Sequence, residues 1–107
     1  MIKVIVAVKR KAGMSPEEFH RHWRTTHADL VRESPASKKY IRKYIQCHTL
    51  PADYAAGDVS FDGTAEMWFD SVADKDLFYS DPDYLATVHP DESNFADMTR
   101  TFFFCYH

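Results

Sequence analysis

The sequence predicts an α+β domain of the ferredoxin-like, split βαβ type, with a four-stranded antiparallel sheet. Three observations lead there. Periodicity orders the chain as strand, helix, strand, strand, helix, strand. The length, 107 residues, supplies one core and not two. The helices of this arrangement cover one sheet face only, yet the strands carry large apolar residues on both. Pairing of two sheets in a homodimer is the simplest way to cover the second face.

Ile2 to Lys9 forms the first strand, with Ile2, Val4, Val6 and Val8 on one face and Lys3, Ile5, Ala7 and Lys9 on the other. Both faces are partly apolar, which places it centrally. Arg10 to Met14 is a basic loop that turns at Gly13. Ser15 then caps a helix, Pro16 takes its first position and Glu18 completes a capping box. Phe19, Trp23, His27, Leu30 and Val31 recur at three- and four-residue spacing and share its buried face. The helix stops near Pro35. Tyr40 to Thr49 is the second strand, rich in Tyr and Ile. Tyr40, Arg42, Tyr44, Gln46 and His48 form one row along it.

Leu50 to Gly63 reads as a long irregular loop, with Tyr54 and Phe61 available to cover a pocket mouth. Thr64 to Asp70 is the third strand, antiparallel to the second. Ser71 caps a short helix to Tyr79 that buries Val72, Leu77 and Phe78. Ser80-Asp81-Pro82 breaks it, a further turn to His89 buries Tyr84, Leu85 and Val88, and Pro90 interrupts again. Met98 to Tyr106 is the last strand, apolar on both sides and therefore central or at an interface.

Composition narrows the function. Eight Phe, six Tyr and two Trp can line an apolar pocket as well as fill a core. A net charge of −3 gives no basic footprint for nucleic acid. No run approaches a membrane span, and the amino terminus lacks the pattern of a signal peptide. Cys47 and Cys105 read as buried free thiols in strands, which fits a reducing cytoplasm. His20, His22 and His27 lie close in sequence, but His20 and His22 point to different sides of the helix, and no HExxH or CxxC spacing exists. No metal site follows. Asp29, Asp53, Asp58 and Asp91 read as solvated charges.

His27 is the candidate catalytic residue on the helix. Its plain alternative is a core histidine bonded to a neighbour. If the strand row faces the helix, His27, Tyr44 and His48 converge in one cavity. Two imidazoles near neutral pH can act as acid and base, and Tyr44 can hold a phenolate or enolate. Trp23, Tyr40, Phe19, Trp68 and Phe78 are the aromatic candidates for contact with substrate. Asp97, just before the last strand, is placed to orient a histidine.

The runs MSPEEFHRHWRTTHADLV, KYIQCHTLP and DGTAEMWFDS, followed by the aromatic last strand, resemble the EthD family of dimeric α+β barrels. The resemblance covers nearly the whole chain. It implies two sheets packed face to face in a dimer, with a ligand cavity between each sheet and its own helices. A helix histidine and a second-strand tyrosine or histidine are typical of such sites; here they map to His27, Tyr44 and His48. The chain departs from the family by Cys47, where Asn is frequent. Relatives implied in this way include fungal decarboxylases and dehydratases of aromatic polyketides. The leading expectation is a cofactor-free lyase of dehydratase, decarboxylase or cyclase type. It acts on an aromatic or polyketide-like substrate by histidine acid–base chemistry. The alternatives are a non-catalytic accessory or ligand-binding protein, and a cofactor-free monooxygenase.

Overall fold

The computed structural model describes residues 1–107. Strands β1 (Ile2–Val8), β2 (Ile41–His48), β3 (Gly63–Phe69) and β4 (Phe102–Tyr106) form one antiparallel sheet in the order β2-β3-β1-β4. This is the ferredoxin-like arrangement the sequence predicts, with β1 central. Its inward residues Ile2, Val4, Val6 and Val8 are all buried against the helices.

The capping box forms: Glu18 N donates to Ser15 Oγ at 3.1 Å, and Ser15 N donates to Glu18 Oε1 at 3.3 Å. Helix α1 (Pro16–His22) widens into a π-helical stretch, Trp23–His27, and continues as α2 (Ala28–Glu33). Trp23 and His27, four residues apart on one face, are both buried in this stretch. The chain breaks at Ser34, whose ψ of 128° is extended. The first helical segment thus stops just before Pro35, as the sequence predicts, and Pro35 opens a further helix, α3 (Pro35–Tyr40), at a position where its missing N–H costs nothing. Tyr40 therefore closes a helix and is buried there, outside the strand row where the sequence places it. The register also shifts between Ile41 and Lys43, and Arg42 turns outward to Asp70.

Leu50 to Gly63 is not wholly irregular, because Pro51 opens helix α4 (Pro51–Ala55). Helix α5 (Val72–Ser80) buries Phe78, whereas Val72 and Leu77 stay about half exposed. Helical geometry explains this: residues adjacent in sequence are turned about 100° apart, so Phe78 facing inward turns Leu77 away. Leu85 beside Tyr84 is exposed for the same reason. A second π-helical stretch, Tyr84–Val88, runs directly into α6 (His89–Phe95). Pro90 does not interrupt it. The ladder there already reaches back five residues, from His89 N–H to Tyr84 O, and Pro90 needs no donor at the start of α6.

The helices leave one sheet face bare. Strand β4 pairs with β1 alone, so it is an edge strand rather than a central one. Phe102, Phe104 and Tyr106 are exposed on the outer face. Cys47 and Cys105 are exposed rather than buried, because β2 and β4 are the two edges and nothing covers either thiol. No helix is long and apolar enough to cross a membrane.

Gly63, at the start of β3, has no room for a side chain: a Cβ there would lie 2.3 Å from Cys47 O and 2.6 Å from the Trp23 ring. Gly63→Ala is expected to destabilise the fold by about 2 kcal/mol or more, the scale of overpacking in a tight interior. Urea denaturation measures it; an unchanged midpoint would show that Trp23 yields at no cost.

Candidate active site

The wide turn of the first helical segment brings Trp23 and His27 over β2 and β3. There they close an apolar chamber with Tyr44, Phe78, Tyr84 and Phe95. The chamber measures about 50 Å³, room for a small group and not for a ring system. Beside it lies an open cleft of about 450 Å³ between β4 and the α5–α6 region, a size typical of ligand sites. Tyr79, Tyr84, Glu92, Met98 and Phe103 belong to both walls. The inner chamber and the outer cleft therefore share a wall.

His27 is the basic group of the inner chamber. Its Nδ1 lies 2.9 Å from Asp91 Oδ2. Asp91 is buried, not solvated as its sequence setting suggests. His22 Nε2, at 2.9 Å from Oδ1, and Asn94 Nδ2, at 3.1 Å, hold the same carboxylate. Burial alone would raise the Asp91 pKa. The hydrogen bonds from Asn94, His22 and His27 outweigh it and hold the group below the ordinary carboxylate range. Asp91 is thus an anion, His27 Nδ1–H donates to it, and Nε2 makes no hydrogen bond within the chain. For His27, burial lowers the pKa more than Asp91 raises it, and His22 lowers it slightly further. The imidazole is neutral near pH 7, with a free acceptor nitrogen.

Glu92, the next residue, is tuned the opposite way. Burial raises its pKa despite the hydrogen bond from Tyr84 and the charge of His89. Tyr84 donates to Glu92 Oε2 at 2.9 Å, and Oε1 lies 2.9 Å from His89 Nδ1. Two neighbouring carboxyl groups whose environments push them apart suit different duties: Asp91 orients a base, and Glu92 can carry a proton. Tyr44 also lines the inner chamber, and burial keeps its hydroxyl protonated. That oxygen accepts from Gln46 Nε2 at 2.7 Å, and its proton has no acceptor within the chain.

His48 is not part of this chamber. It packs on the Trp23 ring at 4.5 Å between centroids and joins a separate polar cluster. Gln46 Nε2 donates to Trp23 O at 2.8 Å, which turns Gln46 Oε1 toward His48 Nε2 at 2.8 Å. His48 Nδ1 faces His20 Nδ1 at 2.6 Å, and His20 Nε2 faces the Tyr54 hydroxyl at 2.9 Å. Tyr54 donates to Asp62 Oδ1 at 2.7 Å. Burial, His20 and Arg24 bring the His48 pKa down to about 4, so it is neutral at pH 7. This cluster ties α1 to β2 and α4. Tyr54 serves there and does not cover the cleft.

Among the aromatic candidates, Trp23 and Phe78 line the inner chamber. Phe19 is fully buried in the core between Trp23 and Phe95. Tyr40 is at the end of α3, and Trp68 lies on the outer sheet face under Lys3 and Lys43. Asp97 does not orient a histidine: it caps the short turn Met98–Arg100 by accepting from Thr99. No group of three or more His, Cys, Asp or Glu side chains is arranged to hold a metal ion.

Comparison with known proteins gives three kinds of match. The EthD domain model matches residues 11–99. The chain is 32% identical over 103 residues to a decarboxylase, nsrE, of Aspergillus novofumigatus, covering 86% of this chain and 67% of that protein. It is 30% identical over 112 residues to a dehydratase, aurZ, of Gibberella zeae, covering 94% and 72%. Among solved structures, an ethyl tert-butyl ether d (ethd) family protein of Bacillus halodurans superposes with a TM-score of 0.73 at 20% identity, over 100% of this chain and 97% of that one. A dimeric ferredoxin-like protein of unknown function from Bacteroides fragilis superposes with a TM-score of 0.72 at 17% identity, over 99% and 94%.

The electrostatics of His27 can be read without a substrate. In an NMR titration its pKa is expected below the ordinary 6.5, and Asp91→Asn, which removes the charge that raises it, is expected to lower it further. A rise on that substitution would contradict the assigned causes. Because the folded pKa values of His20, His27 and His48 are all depressed, their share of stability is complete above about pH 6.5 and is lost as pH falls below it, that of His48 as pH approaches about 4.

Proposed function

The chain belongs to the EthD family, and we propose from that premise that it is a cofactor-free lyase acting on an aromatic, polyketide-like small molecule by histidine acid–base chemistry. One observation carries the reading: a neutral His27, oriented by the Asp91 anion, lines the same chamber as Glu92, whose pKa burial raises. Kinship with a decarboxylase and a dehydratase supports a small-molecule tailoring enzyme.

In a dehydration, His27 Nε2 takes the proton from the carbon next to a ketone, and the C–H electron pair becomes an enolate. The Tyr44 proton holds the enolate oxygen. As the enolate collapses, the bond to the β-hydroxyl breaks, Glu92 protonates the departing oxygen, and water leaves. His27 then holds the proton taken from carbon, Glu92 has given its own to the departing water, and proton exchange with solvent restores both groups. The small inner chamber receives the reacting edge of the molecule, while the rings occupy the outer cleft. His48, which the sequence pairs with His27, has no step here; it braces Trp23 at the chamber wall.

The assembly we propose is a homodimer through the outer sheet face. Phe102, Phe104 and Tyr106 line that face, and a dimeric neighbour of the same fold supports it. Wild type is expected to sediment as a dimer at micromolar concentration and Phe104→Glu as a monomer; a monomeric wild type would remove the sheet-to-sheet packing.

Turnover is tested with hydroxylated anthrones and aromatic β-hydroxy ketones. His27→Ala and Glu92→Gln are each expected to lower kcat/KM by about 100-fold or more. The acid limb of the wild-type pH profile should report a base titrating below 6.5. Full activity of His27→Ala would overturn the acid–base assignment. A ligand bound equally by wild type and variant, and converted by neither, would make the protein a binding module.

A further inference from the structure

The hydroxyl of Tyr79 is buried and has no hydrogen-bond partner. Its ring is well held. Phe78 and Tyr84 meet it edge-on at 5.0 and 5.4 Å between centroids, and Phe103 does so at 6.0 Å. A phenylalanine would keep those contacts and leave no orphan polar atom, so packing does not account for the oxygen. Its place is informative. Tyr79 is one of the five residues shared by the inner chamber and the outer cleft. The other polar groups at that junction are committed: Tyr84 donates to Glu92, and Glu92 also faces His89. Tyr79 alone among them brings to the wall of both spaces a hydroxyl that no group of the protein engages.

We propose that Tyr79 recognises an oxygen on the ring system of the ligand, so that the site selects phenols and aryl ketones over bare aromatic hydrocarbons. The inference rests on reading the cleft as a small-molecule site and deepens it. The inner chamber of about 50 Å³ excludes a ring that the cleft of about 450 Å³ admits. A ring seated in the cleft with its reacting edge toward His27 must therefore lie across the junction. An oxygen borne there meets a donor that no group of the protein has satisfied, and a buried donor left unpaired discriminates against the ligand that lacks the acceptor. Burial raises the Tyr79 pKa and keeps its proton available for donation. Tyr44 serves the reacting oxygen; Tyr79 serves a second oxygen farther out.

The test uses the full chain with 1-naphthol and naphthalene as probes, by equilibrium dialysis, for wild type and Tyr79→Phe. Wild type is expected to bind 1-naphthol roughly tenfold more tightly than naphthalene. Tyr79→Phe is expected to bind naphthalene as wild type does and to lose the preference for 1-naphthol. Its melting temperature should equal or exceed that of wild type, because it removes an orphan hydroxyl. A preference that survives in Tyr79→Phe, or is absent from wild type, overturns the role of Tyr79 and leaves the cleft reading standing. A clear fall in melting temperature would make the hydroxyl structural and overturn the inference. Failure of wild type to bind either probe removes the cleft reading and the inference with it.

Discussion

The Asp91 carboxylate joins two helical segments that the chain itself keeps far apart. It stands on α6 and takes bonds from His22 and His27 on the first segment, at 2.9 Å in both cases. A buried anion is tolerable only when its oxygens are filled, and here two imidazoles and the Asn94 amide fill them. The same contact sets the His27 tautomer and the angle of its ring against Phe95. Without it, His27 would be a desolvated imidazole of undefined orientation, and the polar contact left between the two segments would be the bond from Ser34 to Asp83 at their ends.

Around that contact the molecule sorts its carboxyl groups by environment. Asp91 is surrounded by donors and stays charged. Glu92, one residue on, faces apolar walls and a tyrosine hydroxyl, and its pKa rises. Asp62 is fully buried at the far side of Trp23. There it accepts from Arg10 N at 2.7 Å and from Tyr54, and it serves the His20–His48 cluster. One tryptophan thus separates a polar cluster that braces the fold from a chamber suited to proton transfer. The second π-helical stretch delivers Tyr84 and Val88 to the chamber side and leads straight into the helix that carries Asp91 and Glu92.

Most of the fold is legible in the sequence because its signals are local. Ser15, Pro16 and Glu18 mark the start of the first helix, and alternation marks β1, β3 and the inward row of β2. Pro35 marks the stop it is read as, since α2 ends at Glu33, and it opens α3 as well; Pro90 misleads, because it reads as a stop and sits in the first turn of a helix where no N–H is required. The misreading at Pro90 hides the site. With the helix carried through it, Tyr84, Val88, Asp91 and Phe95 recur at three- and four-residue spacing and share one face, so Asp91 falls on the buried side. His27 was visible from its own helix face. Its partner was not, because their pairing is a tertiary contact across 64 positions. The pairing of His48 with His27 looked natural from alternation, which assigns a face but not a position along the sheet. Trp23 occupies the space between them. Exposure of both cysteines follows from strand order, which no single strand reveals.

The tautomer of His27 is the most direct measure of the central claim, that Asp91 holds a neutral imidazole with Nε2 free to accept a proton. Long-range proton–nitrogen correlation spectra of labelled protein at pH 7.5 read it. Protonated Nδ1 and unprotonated Nε2 are the expected result. A ring protonated at Nε2, or charged at both nitrogens, would contradict the claim and return His27 to the role of a core histidine.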